Sequence, residues 1–401
     1  MKIGIISNLY PPLIRGGAEV IAALEAQGLK EAWQHVFVIS SRPYGGFKSL
    51  SISKNENADI PVYRFYPLNI YYYLNDFRYP AFIRLIWHLF DSFNIFSYFK
   101  IKKILKLEKP DAIITHNLMG IGFLIPRLLR KLKIKHIHTL HDVQLGTPSG
   151  LIVFNKENSW SHKVFKFLGY AKLMRWLWKS PDVVLSPSRF LLNYYKDLKF
   201  FSKSKKIVLP NPIKQLIKLE KKESYNLELL YLGQVHKAKG VLELIEAIKE
   251  INLPALRLNI VGVGPELEKA KKLAAKDKRI KFYGWLRHEE MMPLLAKMDI
   301  LIVPSLCYEN SPTVIYEMLA LGMPVLAADI GGVAELITEG KNGWIYPAGD
   351  FKTLDKKIIS IYKQRDKLRL LAPNCHHSVE PYLLSKYVEK VLVEINENKA
   401  K

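Results

Sequence analysis

Short runs of β-branched and other apolar residues alternate along the chain with longer amphipathic stretches, the pattern of parallel strands separated by helices. In the first half these runs fall at 2–7, 35–40, 112–116, 135–140 and 183–186. In the second half they fall at 229–232, 257–261, 280–283, 300–304 and 324–327. Two such series predict two doubly wound, Rossmann-like α/β domains, each with its own parallel sheet. The break between them lies at Pro210-Asn211-Pro212, where two prolines resist both helix and central strand, and a Lys- and Glu-rich stretch, 218–228, follows. The expected organisation is a first domain at 1–210, a linker at 211–228, a second domain at 229–374 and a helical tail at 375–401. A chain of 401 residues has enough length for two cores.

Composition narrows the setting. Hydrophobic residues make up 49% and charged residues 24%, the balance of a soluble globular protein. The amino-terminal run MKIGIISNLYPP is too short in apolar residues for a signal peptide and reads as a first buried strand. No stretch reaches the ~18 uncharged apolar residues needed to cross a bilayer; the nearest, 85–99, contains His88 and Asp91. Two cysteines, Cys307 and Cys375, provide neither a disulfide framework nor a metal-ligand spacing, so a reducing cytoplasm and no metal are expected.

Charge adds a second surface. Lys and Arg number 60 against 37 Asp and Glu, a net +23, with the excess conspicuous at 100–135 and 156–206. No zinc-finger spacing or RNA-binding aromatic signature accompanies it, so an anionic membrane surface is preferred over nucleic acid. Aromatic-rich runs at 70–73, 77–87 and 90–99 lead into Lys100-Ile101-Lys102-Lys103. Such a stretch suits a peripheral position on the cytoplasmic face of a membrane, and a core helix with a solvated basic end fits the same pattern.

In open α/β sheets ligands bind beyond the carboxyl ends of the strands, so the loops after strands are the places to look for chemistry. The fullest of these is PSLCYENSPTVIYE, 304–317. A helix is expected to start near Ser311, with Ser311 as N-cap and Pro312 at the first helical position, and to stop at Gly322. The amides of Thr313 and Val314 would then face a bound phosphate. Glu317 lies about five residues into that helix, roughly 7–8 Å from its start, in reach of a group carried by the phosphate such as a ribose diol. Glu309, in the preceding loop, reaches the far side of the phosphate. A solvated loop glutamate and an ordinary helix glutamate fit the pattern equally well.

Three other loops carry candidates. Arg15-Gly16-Gly17-Ala18-Glu19 follows the first strand, and paired glycines at a helix start let amides approach a phosphate. Tyr231-Leu232-Gly233-Gln234-Val235-His236-Lys237-Ala238-Lys239-Gly240 follows the first strand of the second half, with Lys239 placed to pair with a diphosphate or to be a plain surface lysine. Thr139-Leu140-His141-Asp142 sets a histidine beside a carboxylate at a strand end, an arrangement for holding a hydroxyl, for base chemistry or for turn hydrogen bonding. Val261-Gly262-Val263-Gly264-Pro265-Glu266-Leu267 starts like a dinucleotide fingerprint, but Leu267 stands where the last glycine belongs, which removes most support for a dehydrogenase.

Together these loops resemble the retaining glycosyltransferases of family 4, which have the two-domain GT-B fold with a central cleft. The most specific match is the pair of glutamates separated by seven residues, Glu309 and Glu317, within ENSPTVIYEMLALGMPVLAADIGGVAELI. Val208-Leu209-Pro210-Asn211, Gly233 with Lys239-Gly240, Gly262-Val263-Gly264-Pro265 and Asn342-Gly343 support it. The resemblance implies transfer of a sugar from a nucleotide-diphosphate donor of UDP or GDP type to a glycan or lipid-linked acceptor, with no cofactor, in cell-envelope or surface polysaccharide synthesis.

By the same resemblance Gly16, Gly17, Gly233 and Lys239 lie at the donor diphosphate. Glu309 lies by the transferred sugar, with Asn310, Ser311, Pro312, Thr313 and Val314 around its hydroxyls and the phosphate. Glu317 binds the ribose, and His141, with Asp142 beside it, sits where donor and acceptor meet. The tail would be the family's closing helix, turned back toward the first domain. One position departs: Gln234 stands where the family usually has an arginine as a second cation on the diphosphate. A sugar-nucleotide epimerase of the same architecture and a non-catalytic binder of sugar nucleotides or anionic polymers are the competing expectations.

Overall fold

The computed structural model describes residues 1–157, 169–220 and 224–397, apart from the His288 side chain. Residues 158–168 of the basic stretch, 221–223 of the expected linker and 398–401 of the tail lie outside the described residues. The chain forms two compact units: Met1–Gly150, Ser159–Pro212 and Leu384–Lys401 make the first, and Leu151–Asn158 with Ile213–Leu383 make the second.

The first unit is built on β1 (Lys2–Ile6), β2 (His35–Ser41), β3 (Ser53–Asn57), β4 (Ile60–Phe65), β5 (Ala112–Thr115), β6 (Lys135–Thr139), β7 (Val183–Ser186) and β8 (Lys205–Val208). They form an eight-stranded sheet in the order β3-β4-β2-β1-β5-β6-β7-β8, parallel except where β3 meets β4. The second unit has β9 (Leu227–Leu232), β10 (Leu256–Val261), β11 (Ile280–Gly284), β12 (Ile300–Val303), β13 (Val325–Asp329) and β14 (Gly343–Pro347). Their order is β11-β10-β9-β12-β13-β14, all parallel. Central strands such as AIIT, VVLS and ILIV are buried along their whole length, because helices cover both faces of a parallel sheet. Beyond the strands that the apolar runs predict, the sheets gain β3, β4, β8 and β14. Polar SKNEN and KKIV sit at sheet edges, where one-sided burial leaves no apolar run to see.

Strand order reverses at β1, which lies between β2 and β5, and at β9, which lies between β10 and β12. At such a reversal the outgoing loops part to opposite faces and open a crevice at the strands' carboxyl ends. Loops with candidate chemistry leave these strands and the neighbour of β9: Arg15-Gly16-Gly17 after β1, Gly233–Gly240 after β9 and Pro304–Glu309 after β12.

Part of the stretch expected to link the domains belongs to the second unit. Ile213 is buried and bridges to Leu383, and the Ile217 amide donates to the Ala320 carbonyl. The tail also begins later than expected. The helix Ala372–Val379 places Cys375 and Val379 in the second unit's core, so only the helix Leu384–Asn396 joins the first unit. There it lies on the helix Gly17–Glu31, and Gly28 makes room for it: a Cβ at that position would stand 2.7 Å from Val388 Cγ2.

The aromatic stretch forms the helices Ala81–Ser92 and Ile95–Glu108. The first is turned outward in its apolar residues. It buries Trp87, Asp91 and Ser92, and exposes Phe82, Leu85, Ile86, Leu89 and Phe90. Among the described residues no helix is long and apolar enough to cross a membrane.

Candidate active site

In the second unit the loops after β9 and β12 are locked together. The Leu306 amide donates to the Ala238 carbonyl, and the short turn Lys237–Lys239 is capped by His236, whose Nδ1 accepts from the Ala238 amide. Gly240 has φ +69, and a Cβ on it would stand 1.9 Å from the Pro304 carbonyl oxygen, so only glycine allows this approach. The result is an ion pair: Lys239 Nζ lies 2.5 Å from Glu309 Oε1, which also accepts from Ser305 Oγ at 2.7 Å. Burial works against the Lys239 ammonium, but the Glu309 carboxylate outweighs it and the pKa is raised. Nearby Cys307 is pushed up to about 12, by burial first and then by Glu309, which keeps it a thiol.

The backbone of Glu309 is fixed from two sides. Its carbonyl accepts from the Gly332 amide at 2.7 Å, and Gly331, at φ +66, packs so closely that a Cβ would lie 2.1 Å from that oxygen. On the other side the segment 151–157 runs beside the loop as a short antiparallel partner. Val153 bridges to Cys307, the Phe154 amide donates to Leu306, the Tyr308 amide donates to Ile152, and Tyr308 Oη donates to Glu157. No sequence signal pointed to this brace, since its residues are far from the loop in the chain and read as irregular.

The following helix is Thr313–Ala320, starting one residue later than the capping pattern suggests. Ser311 is not its N-cap. Pro312 takes that position with extended backbone, and the Ser311 hydroxyl instead meets Tyr316 Oη at 2.6 Å. Thr313 and Val314 are therefore the first two helical residues, whose amides precede the intrahelical ladder. Between Ile315 and Ala320 only Glu317 is exposed. Crowding by the surrounding protein raises its carboxyl pKa, and the Thr313 hydroxyl works in the opposite direction. Gly233 and Gln234 are exposed at the end of β9, and the Gln234 carbonyl accepts from Tyr231 Oη.

The first unit presents two groups. At the start of the helix Gly17–Glu31, the Gly16 amide, expected to approach a phosphate, donates to Glu19 at 2.8 Å. Glu19 is buried, which raises its pKa against the pull of these backbone bonds. Arg15 turns to Asp76 at 3.1 Å and covers the Tyr73 ring. After β6, Asp142 accepts from the Gln144 amide and from Asn117 Nδ2, and burial raises it to about 6. His141 Nε2 lies 2.8 Å from His116 Nδ1, a partner at the end of β5 that sequence reasoning counted only as part of a strand. Burial, then the neighbouring His116, hold His141 well below the ordinary histidine range.

Residues 15–214 match the sequence profile described as Glycosyltransferase Family 4, and residues 213–375 match that of Glycosyl transferases group 1. The putative teichuronic acid biosynthesis glycosyltransferase TuaC of Bacillus subtilis is 26% identical over 86% of this chain and 86% of its own. Sucrose-phosphate synthase from Thermosynechococcus elongatus shares the fold with a TM-score of 0.78 at 16% identity, covering 100% of this chain and 99% of its own. Anabaena HepE in complex with UDP gives a TM-score of 0.71 at 19% identity, over 98% of this chain and 99% of its own. The chain therefore belongs to the glycosyltransferases of family 4, group 1, and has their GT-B fold of two parallel-sheet α/β domains.

Proposed function

We infer that the chain is a retaining, metal-independent glycosyltransferase that moves a sugar from a nucleotide-diphosphate sugar to a hydroxyl of a glycan or lipid-linked acceptor in cell-envelope polysaccharide synthesis. The observation that carries this reading is the half-buried Lys239–Glu309 pair at the strand-order reversal of the second unit, beside the start of the helix that carries Glu317. Lys239 and the amides of Thr313 and Val314 supply positive potential to the diphosphate. Glu317 accepts hydrogen bonds from the ribose, and Glu309, with Asn310, Ser311 and Pro312 beside it, orients the transferred sugar. Gly233 leaves the backbone open to the diphosphate. From the first unit, Gly17 is the amide proposed for the diphosphate beside the engaged Gly16, and His141 meets a sugar hydroxyl while Asp142 holds its loop.

In the reaction the bond from the anomeric carbon to the diphosphate oxygen breaks, and the leaving phosphate takes the electron pair. The acceptor hydroxyl bonds to the same face of the anomeric carbon, and its proton passes to that phosphate oxygen. Gln234 gives the leaving group a dipole in place of a full charge, so Lys239 bears most of the stabilisation. The UDP complex of HepE supports a nucleotide-diphosphate donor of UDP or GDP type. The outward apolar face of the helix Ala81–Ser92, followed by Lys100, Lys102 and Lys103, supports a peripheral seat on an anionic membrane, where a lipid-linked acceptor is at hand.

The test is incubation with UDP- and GDP-sugars and an envelope-lipid extract, followed by product isolation and NMR of the new linkage. An α-linked product from an α-linked donor, resistant to EDTA, is expected. An inverted linkage, or a product formed without acceptor, contradicts the reading.

A further inference from the structure

The brace at 151–157 also forms one wall of a cavity of about 510 Å³ that lies wholly within the second unit. Its floor is apolar: Leu151, Val153 and Phe154 come from the brace, Ala238 from the loop after β9, Leu306 from the loop after β12, and Ala348 follows β14. Apart from Ala238 these side chains are only half-buried, so the apolar surface faces an open space. Size and lining are those of a small-molecule site, mostly apolar with a few polar groups placed around it.

The rim carries positive charge that nothing neutralises. Lys156 and Lys237, from two separate segments, are exposed and have no carboxylate partner among the described residues. Within the turn Lys237–Lys239 the two lysines part company: Lys239 turns to Glu309, while Lys237 lines the cavity. Asp350 is the carboxylate in the lining, and it is spent on the start of the next helix, accepting from the Thr353 amide at 3.0 Å and the Thr353 hydroxyl at 2.6 Å. Glu157, next to Lys156, accepts from the Asn155 amide and from Tyr308 Oη. An apolar floor below two unmatched ammonium groups is complementary to an apolar chain that ends in an anion. A free anion would leave the floor in water, and a neutral chain would leave the cations unmatched. A bilayer cannot follow so small a concavity, and an α-helix, ~10–12 Å across with its side chains, is too thick for it. Two ammonium groups reaching in from different segments suit the several oxygens of a phosphate.

We propose that this cavity binds a phosphate-bearing lipid, with the first carbons of an isoprenoid or acyl chain on Leu151, Phe154 and Leu306 and the phosphate between Lys156 and Lys237. The site adjoins the donor loops without being part of them. Ala238 precedes Lys239 in the chain, and its carbonyl accepts from Leu306, three residues before Glu309. That the bound lipid is the end of an acceptor rests on the proposed function; the binding itself does not.

The experiment titrates farnesyl phosphate, kept below its micelle concentration, into the full chain with and without saturating UDP, followed by calorimetry and phosphorus NMR. One molecule should bind per chain, about tenfold or more tighter than farnesol or inorganic phosphate, and UDP should not displace it. Dodecyl phosphate run in parallel names the chain: binding of either amphiphile supports the site, and the tighter one marks it as isoprenoid or acyl. Lys156→Ala with Lys237→Ala removes the two exposed charges and should weaken binding about tenfold. Ala348→Trp fills the cavity and should abolish binding with UDP affinity unchanged. Replacing Phe82, Leu85 and Leu89 by Ser should leave the amphiphile bound as in wild type, which separates the cavity from the exposed helix Ala81–Ser92. Binding of neither amphiphile, equal binding of farnesol, displacement by UDP, or undiminished binding in the double lysine variant overturns the proposal. Undiminished binding in Ala348→Trp does the same, and the lysine variant decides alone if that chain fails to fold. A chain that binds the amphiphile but not UDP contradicts the proposed function and supports this site.

Discussion

At Lys239 burial and charge oppose each other, and the Glu309 carboxylate at 2.5 Å decides the balance in favour of the ammonium. In the proposed reaction Lys239 is the cation assigned to the leaving diphosphate, and Gln234 supplies only a dipole. Lys239→Ala is expected to lower kcat about 10²–10³-fold, the usual effect of removing one principal electrostatic stabiliser, as measured by nucleotide release in steady state. A second residue reports on the fold rather than on chemistry. Asp91 is fully buried, accepts the Gly120 amide at 2.8 Å, and is pushed up to about 8 by burial. The folded chain thus keeps a proton on Asp91 where the unfolded chain has released it. That contribution to stability is full below pH ~4 and is lost as pH rises toward 8, at up to about 1.4 kcal/mol per pH unit. Asp91→Asn should remove this component: its urea midpoint relative to wild type should rise steadily between pH 5 and pH 8. A constant difference would show that Asp91 is ionised in the fold.

Elements explain which parts of the site were legible in the sequence. Glu309, Lys239 and Glu317 stood out because each follows a recognisable strand and lies near a turn or helix start, where local chemistry leaves a local signature. Ser311 misled, since its N-cap pattern is satisfied on paper while the hydroxyl finds Tyr316 instead. His116 was hidden: it reads as the end of a strand, and only the pairing of β5 with β6 brings its ring to His141. The brace at 151–157 was hidden for the same reason, being a contact between distant segments. It makes a clear prediction. Phe154→Pro removes the amide that donates to Leu306, a loss of about 1 kcal/mol and roughly fivefold in kcat, whereas Phe154→Ala keeps the amide and should retain more of the rate. Equal rates for the two variants would deny the brace a part in holding the Glu309 loop. The helix Ala81–Ser92 can be tested as an element as well. Replacing Phe82, Leu85 and Leu89 by Ser should abolish flotation with vesicles rich in anionic lipid and leave transfer to a water-soluble acceptor intact. Flotation indifferent to both this change and the loss of Lys100, Lys102 and Lys103 would remove the membrane seat.

At the scale of the whole molecule, the two series of apolar runs foretold two doubly wound domains, and the loops at the carboxyl ends of their strands hold the candidate chemistry. The net charge of +23 belongs to this scale too: it favours anionic substrates and surfaces without specifying them. In the proposed mechanism the second unit holds a nucleoside diphosphate, with Glu317 on its ribose. Titration calorimetry of UDP and GDP into the wild-type chain and Glu317→Ala tests this most directly. One nucleotide should bind the wild type at a single site, and Glu317→Ala, still folded, should bind it at least tenfold more weakly. Equal binding to both chains, or no binding of either nucleotide to the wild type, would contradict the account.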